Sequence, residues 1–175
     1  RSEPSIQHVN LESFSLDVLK DELPDIEDIS SLIYCPGSIN LKPLSYLKEE
    51  DFINDFQINV LGAVRAIKKY SKNLKGNDGS SIVLFSTVAV AQGMPFHSSI
   101  STAKAGIEGL TRSLAAEFAP CVRVNCIAPS ITDTPLAASI LRSEKSRENI
   151  SENHPLKRII QADEIASMAS YLISS

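Results

Sequence analysis

The sequence predicts an α/β domain built on a parallel β-sheet, and three observations carry that prediction. Short apolar runs alternate with amphipathic helical stretches in the order strand, helix, strand, helix, strand. The segments between the runs are long enough to be crossover helices, which parallel strands require. The composition is that of one globular domain: 175 residues, 43% hydrophobic and 22% charged. A chain of that size buries about 70% of its unfolded surface.

Residues 6–9 form a short candidate strand, and residues 15–23 a weak helix closed by Pro24. Asp21, Glu22, Asp25, Glu27 and Asp28 have no second ligand cluster beside them and read as a solvated turn, not a metal site. Leu32, Ile33 and Tyr34 are an apolar run stopped by Pro36 and Gly37, the pattern of a buried strand. A long helix is expected over 47–74, where Phe52, Phe56, Val60, Val64 and Ile67 recur at steps of three or four. Turn residues over 73–80 lead into a strand at 81–85. A second long helix, 98–118, carries Ile100, Ala103, Ile107, Leu110, Leu114 and Phe118 on one face. Residues 122–127 alternate as a strand before Pro129, and helical segments near 135–144 and 161–172 follow.

Seventeen Lys plus Arg against 21 Asp plus Glu leave a net charge of −4, so no basic surplus points to nucleic acid or an anionic membrane. The longest apolar stretch, 82–96, is broken by Ser86, Thr87 and Gln92, and nothing in it suits a bilayer span. The first thirty residues lack the basic start and apolar core of a cleavable signal. Cys35, Cys121 and Cys126 have no metal-ligand spacing and read as buried thiols of a reducing cytoplasm. A cytoplasmic protein is therefore expected.

Ligands of parallel α/β sheets sit beyond the carboxyl ends of the strands. Here those ends are residues 35–39, 86–92 and 129–135. These segments, with the helices between them, resemble the short-chain dehydrogenase/reductase family. The match is densest in SIVLFSTVAVAQGMPFHSSISTAKAGIEGLTRSLAA (81–116) and VRVNCIAPSITDTP (122–135), with INVLGAV (58–64) and HPLKRIIQADEIASMASYL (154–172) beside them. The resemblance implies a Rossmann-like, doubly wound parallel sheet with helices on both faces, here incomplete at both ends. The family's Gly-rich opening turn and last strand have no counterpart in these residues, so a fragment or a partly ordered chain is expected.

The family's catalytic pattern is a Ser, a Tyr thirteen residues later, a Lys four beyond that, and an upstream Asn. By position Lys104 matches the Lys, Asn59 the Asn, and Thr87 falls on the Ser; Ile100 falls on the Tyr. In the family that Tyr passes a proton to or from the substrate oxygen, while the Lys holds the nicotinamide ribose. Isoleucine cannot do acid–base chemistry, which typically contributes about 10²–10⁴-fold. His97, seven residues before Lys104, occupies the position where the superfamily's enoyl reductases place their Tyr, and imidazole exchanges protons near neutral pH. The plainer reading of His97, and the favoured one, is a partly exposed loop residue after Pro95 and Phe96.

On the cofactor side, Tyr34-Cys35-Pro36-Gly37 stands where the family has Asn-Asn-Ala-Gly, so only Gly37 is kept. Pro129-Ser130 replaces a Pro-Gly pair, and Thr132 and Thr134 fall where the family touches the carboxamide and phosphate. The resemblance implies NADP or NAD, with Arg1 favouring NADP as a 2′-phosphate partner. It also implies a small-molecule substrate and a homodimer or homotetramer through helices 47–74 and 98–118. Ala63, Ala66, Ala105 and Gly109, read as lying opposite the core faces, would allow close packing there. Three functions stay open: an oxidoreductase with an altered proton donor, a catalytically silent member binding a nucleotide or a partner in the old cleft, and a structural protein that binds no nucleotide.

Overall fold

Three parallel strands form the main sheet in the computed structural model, which describes residues 12–174. They are β1 (Ser31–Ile33), β2 (Ser80–Phe85) and β3 (Val122–Ile127), in that spatial order. Ser31 pairs with Ser81, and Phe85 with Ile127. β2 is hydrogen-bonded on both sides and covered on both faces, so Ile82, Val83 and Leu84 are all fully buried. A central parallel strand reads as a continuous apolar run for that reason. The candidate strand at 6–9 and Arg1 lie outside the described residues.

The helices are α1 (Glu49–Phe56), which runs through a π turn (Gln57–Leu61) into α2 (Gly62–Gly76), then α3 (Ala89–Gln92), α4 (Ser98–Phe118), α5 (Glu144–Asn153) and α6 (Ala162–Ile173). Ile67, Tyr70 and Leu74 of α2 and Ile107 and Phe118 of α4 pack on Ile82, Leu84 and Val124. Burying each large apolar side chain stabilises the fold by about 1.5–3 kcal/mol. α6 covers the opposite face, where Ser81 Oγ donates to Leu172 O at 3.0 Å. The predicted doubly wound parallel sheet, with helices on both faces, is thus observed.

The apolar face of α4 is buried at Ile100, Ala103, Ile107 and Phe118, as its spacing predicts. The 47–74 stripe is different. Val60 and Ile67 are buried, but Phe56 is 42% exposed, and Ala63 and Ala66 lie in the core, not opposite it. The π turn explains this, because its wider turn rotates α2 relative to α1. Phe56 instead joins Phe52, Ile53 and Leu61 along an apolar groove between α1 and α4.

Residues 15–23 form no helix, only a turn near 18–20. Side chains of α2 and its C-cap take carbonyls of this segment and the residues after it: Arg65 donates to Val18 O and Asp21 O, Tyr70 to Pro24 O, and Asn77 to Ile29 O. The acidic residues of this segment are exposed, as expected of a solvated turn. Residues 135–144 hold a 3-10 turn (Pro135–Ala137), and α5 starts where that prediction ends. Ser143 is the reason: its Oγ accepts from Ser146 N at 3.2 Å, a side-chain cap that sets the helix start. Beyond β3, β4 (Thr132–Asp133) pairs in parallel with β5 (Ile160–Gln161), and Arg147 forks onto Asp133 at 2.7 and 3.2 Å.

The cysteines correct another expectation. Cys35 and Cys121 are exposed because they sit in the turns after β1 and before β3, and only Cys126 is partly buried. No helix among the described residues is long and apolar enough to cross a membrane.

Tyr34 is 5% exposed, and its hydroxyl donates to Ile58 O in the π turn at 2.6 Å. A Cβ on Gly62 would lie 2.1 Å from that hydroxyl oxygen. Gly62→Ala is therefore expected to lose about 1–3 kcal/mol by overpacking. Tyr34→Phe in the same chain should recover part of that loss in a urea titration. Full loss in both backgrounds would show that the hydroxyl is not the obstacle.

Candidate active site

The carboxyl ends of the three strands meet through backbone hydrogen bonds. Tyr34 N donates to Val83 O at 3.0 Å, Ser86 N to Ile127 O at 2.8 Å, and Val88 N to Pro129 O at 3.2 Å. Gly37, Thr87 and Pro129 are therefore carried on adjoining loops at one sheet edge, where a parallel sheet places its ligands.

Lys104 reaches this edge from α4. Its Nζ donates to Phe85 O at 2.9 Å, which pins the half-buried ammonium over the end of β2. Burial pushes its pKa below the usual lysine value, while nearby Cys126, Cys35 and Asp55 oppose that shift. A Cβ on Gly37 would lie 3.1 Å from Asn59 Oδ1 and 3.5 Å from Lys104 Nζ. Glycine there leaves a gap flanked by an acceptor and a cation, and Asn59 Oδ1 is buried with no hydrogen-bond partner among the described residues. Gly37, Asn59 and Lys104, three separately predicted residues, are thus brought together.

Asn59 sits in the π turn at 1% exposure. Its Nδ2 donates to Ser38 Oγ at 2.9 Å and to Asp55 O at 2.8 Å. Ser38 in turn donates to Asp55 Oδ1, and Ser99 to Asp55 Oδ2, each at 2.5 Å. Sequence reasoning missed Ser38, Asp55 and Ser99. The available signal was Asp55, an acidic residue inside an apolar helical stripe four positions before Asn59.

The other predicted residues are placed less centrally. Ile100 is 5% exposed, so an apolar side chain fills the position one turn before Lys104. Thr87 Oγ1 accepts from Ala89 N at 3.3 Å, which leaves its hydroxyl proton to donate. His97 precedes α4, and its Nδ1 lies 2.7 Å from Pro95 O. A carbonyl only accepts, so Nδ1 carries the hydrogen and Nε2 is left to exchange a proton. Thr132 donates to Ser130 O at 3.0 Å and Thr134 to Thr132 O at 3.5 Å, so both hydroxyls first order their own loop.

The gap at Gly37, the orphaned oxygen and the adjacent ammonium fit a sugar hydroxyl, which donates to one neighbour while accepting from the other.

Residues 19–175 match the family model described as enoyl-(acyl carrier protein) reductase. Tropinone reductase-like 3 of Erythroxylum coca is 34% identical over 119 residues, 68% of this chain and 45% of that protein. The ligand-free aldohexose dehydrogenase of Thermoplasma acidophilum superposes with a TM-score of 0.79 at 28% identity, over 84% of this chain and 61% of that one. ElxO with NADP bound gives 0.76 at 27% identity, over 83% and 60%. The chain spans about half the length of the curated relatives it matches.

The placement of Lys104 has a measurable consequence. Burial favours its neutral amine, so between its lowered folded pKa and about 10.5 the unfolded chain binds more protons than the folded one. Stability relative to Lys104→Met should rise with pH across that window. An NMR titration of the lysine side chains should show one amine titrating below the rest, lost in Lys104→Met. A Lys104 that titrates with the surface lysines would contradict its burial.

Proposed function

Because the chain belongs to the short-chain dehydrogenase/reductase family, we propose that it is a nicotinamide-dependent oxidoreductase of the cytoplasm. Its substrate is a small carbonyl, alcohol or enoyl compound, and its proton comes from a group other than residue 100. The observation that carries this reading is the meeting of Gly37, Asn59 and Lys104 at the ends of β1 and β2. The nicotinamide, when bound, supplies the hydride exchange.

The protein's own residues bind and orient. Lys104, held by Phe85 O, keeps N–H donors for ribose oxygens, and Gly37 lets the sugar approach the backbone. Pro129, Thr132 and Thr134 form the wall on the β3 side, with the Thr132 and Thr134 oxygens left as acceptors. Thr87 donates its hydroxyl proton to the substrate oxygen, and His97 Nε2 holds the proton that is transferred. NADP is favoured over NAD by the NADP and NADPH bound in the ElxO structures. The apolar groove of Phe52, Ile53, Phe56 and Leu61 on α1 and the π turn, facing Thr102 and Ala103 of α4, supports a homodimer or homotetramer through these helices.

One observation favours a second reading. Ile100 is buried and apolar where the family has its proton donor, which fits a catalytically silent member that still binds a nucleotide.

Titrating the longest natural form of the chain with NADPH and with NADH tests both readings. Micromolar NADPH binding is expected, with Lys104→Ala weakening it roughly 10–100-fold by loss of charged hydrogen bonds. Absence of binding at millimolar nucleotide would overturn both.

The proton donor is tested by activity on a carbonyl panel. Under the first reading His97→Ala should lose about 10²–10⁴-fold in turnover. Under the second, the native chain is inactive and Ile100→Tyr creates reductase activity.

A further inference from the structure

Asp55 is a buried carboxylate that the proposed chemistry does not use. It lies on α1 at 3% exposure, and none of the ion pairs among the described residues includes it. A charge taken out of water needs compensating hydrogen bonds, and here two serines provide them. Ser38 Oγ and Ser99 Oγ each donate to one carboxylate oxygen at 2.5 Å.

The carboxylate also sets a direction. Both hydroxyl protons point at Asp55, from Ser38 Oγ to Oδ1 and from Ser99 Oγ to Oδ2. Ser38 Oγ therefore faces Asn59 as an acceptor and takes one amide hydrogen from Nδ2 at 2.9 Å. The other goes to Asp55 O, again an acceptor, at 2.8 Å. With both amide hydrogens committed, Asn59 has one orientation. Its Oδ1 is left on the Gly37 side, buried and without a donor among the described residues.

We propose that Asp55 is the positioning residue of the cleft: through Ser38 it fixes the Asn59 amide so that its oxygen accepts from an O–H or N–H group of the bound ligand. The requirement on that ligand is a donor at Asn59 and an acceptor for Lys104 within the space a Cβ on Gly37 would fill. Only the ligand's identity as a nicotinamide nucleotide rests on the function proposed above. Ser99 holds the same carboxylate but lies off the path to Asn59, which makes it an internal control.

The test compares Ser38→Ala, Ser99→Ala and Asp55→Asn in the longest natural form of the chain. NADPH is the probe, and the side-chain amide of Asn59 is followed by nitrogen-15 NMR. Each serine variant loses its hydrogen bond to Asp55, and Ser38→Ala also removes the acceptor of Asn59 Nδ2, so both should lower the melting temperature, Ser38→Ala at least as much as Ser99→Ala. Ser38→Ala should also weaken NADPH roughly three- to tenfold, the worth of one hydrogen bond, and speed hydrogen exchange at the Asn59 amide. Asp55→Asn, which keeps the shape but adds a donor, should do the same. Ser99→Ala should change neither readout. Equal affinity and exchange in Ser38→Ala and the unaltered chain would overturn the proposal, as would equal losses of NADPH affinity in the two serine variants. If the unaltered chain binds no NADPH, the cofactor reading fails by itself. Asn59 exchange then decides the positioning role: faster in Ser38→Ala alone supports it, unchanged overturns it.

Discussion

The site depends on a single break in helical register. At Gln57–Leu61 the long helix opens into a π turn, and the Ile58 carbonyl accepts the Tyr34 hydroxyl at 2.6 Å. That bond ties the turn to the end of β1, and Gly62 provides the space for it. Before the turn, Ile53 and Phe56 face outward; after it, Ala63, Ala66 and Ile67 lie in the core. Asn59 and Val60, inside the turn, are both buried. π turns are rare and often sit at functional sites, and this one carries the residue that faces Gly37 and Lys104.

Two charges are taken into the interior on either side of that turn, by different means. Lys104 keeps one bond to Phe85 O, and burial holds its pKa below the usual lysine value, so its charge is costly there. Asp55 is enclosed more completely and compensated within the fold by Ser38 and Ser99. Asn59 lies between them, its nitrogen committed to the Asp55 side and its oxygen left for the Lys104 side. The result is one oriented amide flanked by an ammonium and a carboxylate.

Position 100 shows how little of that arrangement depends on the chemistry of one helix residue. The backbone of α4 continues through Ile100 without disturbance, and the isoleucine is buried with the rest of the helix's apolar face. The strand ends and the π turn bring Gly37, Asn59 and Lys104 together without any contribution from that side chain. The fold and the chemistry carried on it are separable.

The sequence by itself determined the parallel sheet and the two long helical stretches, while Gly37, Asn59, Thr87 and Lys104 were marked only by a resemblance to a known family. Periodic apolar spacing and strand-end turns are local signals, and burial in the core enforces them. It misplaced residues 15–23, where the Val18 and Asp21 carbonyls are claimed by Arg65 from a helix more than forty residues away. It misread the α1 stripe because nothing in Phe52, Phe56 and Val60 announces the π turn that rotates them apart. It did not find Ser38, Asp55 and Ser99, since three common polar residues at unremarkable spacings gain meaning only when β1, α1 and α4 meet. Tertiary structure decided that pairing, because a buried carboxylate is tolerable only where the fold delivers donors to both of its oxygens.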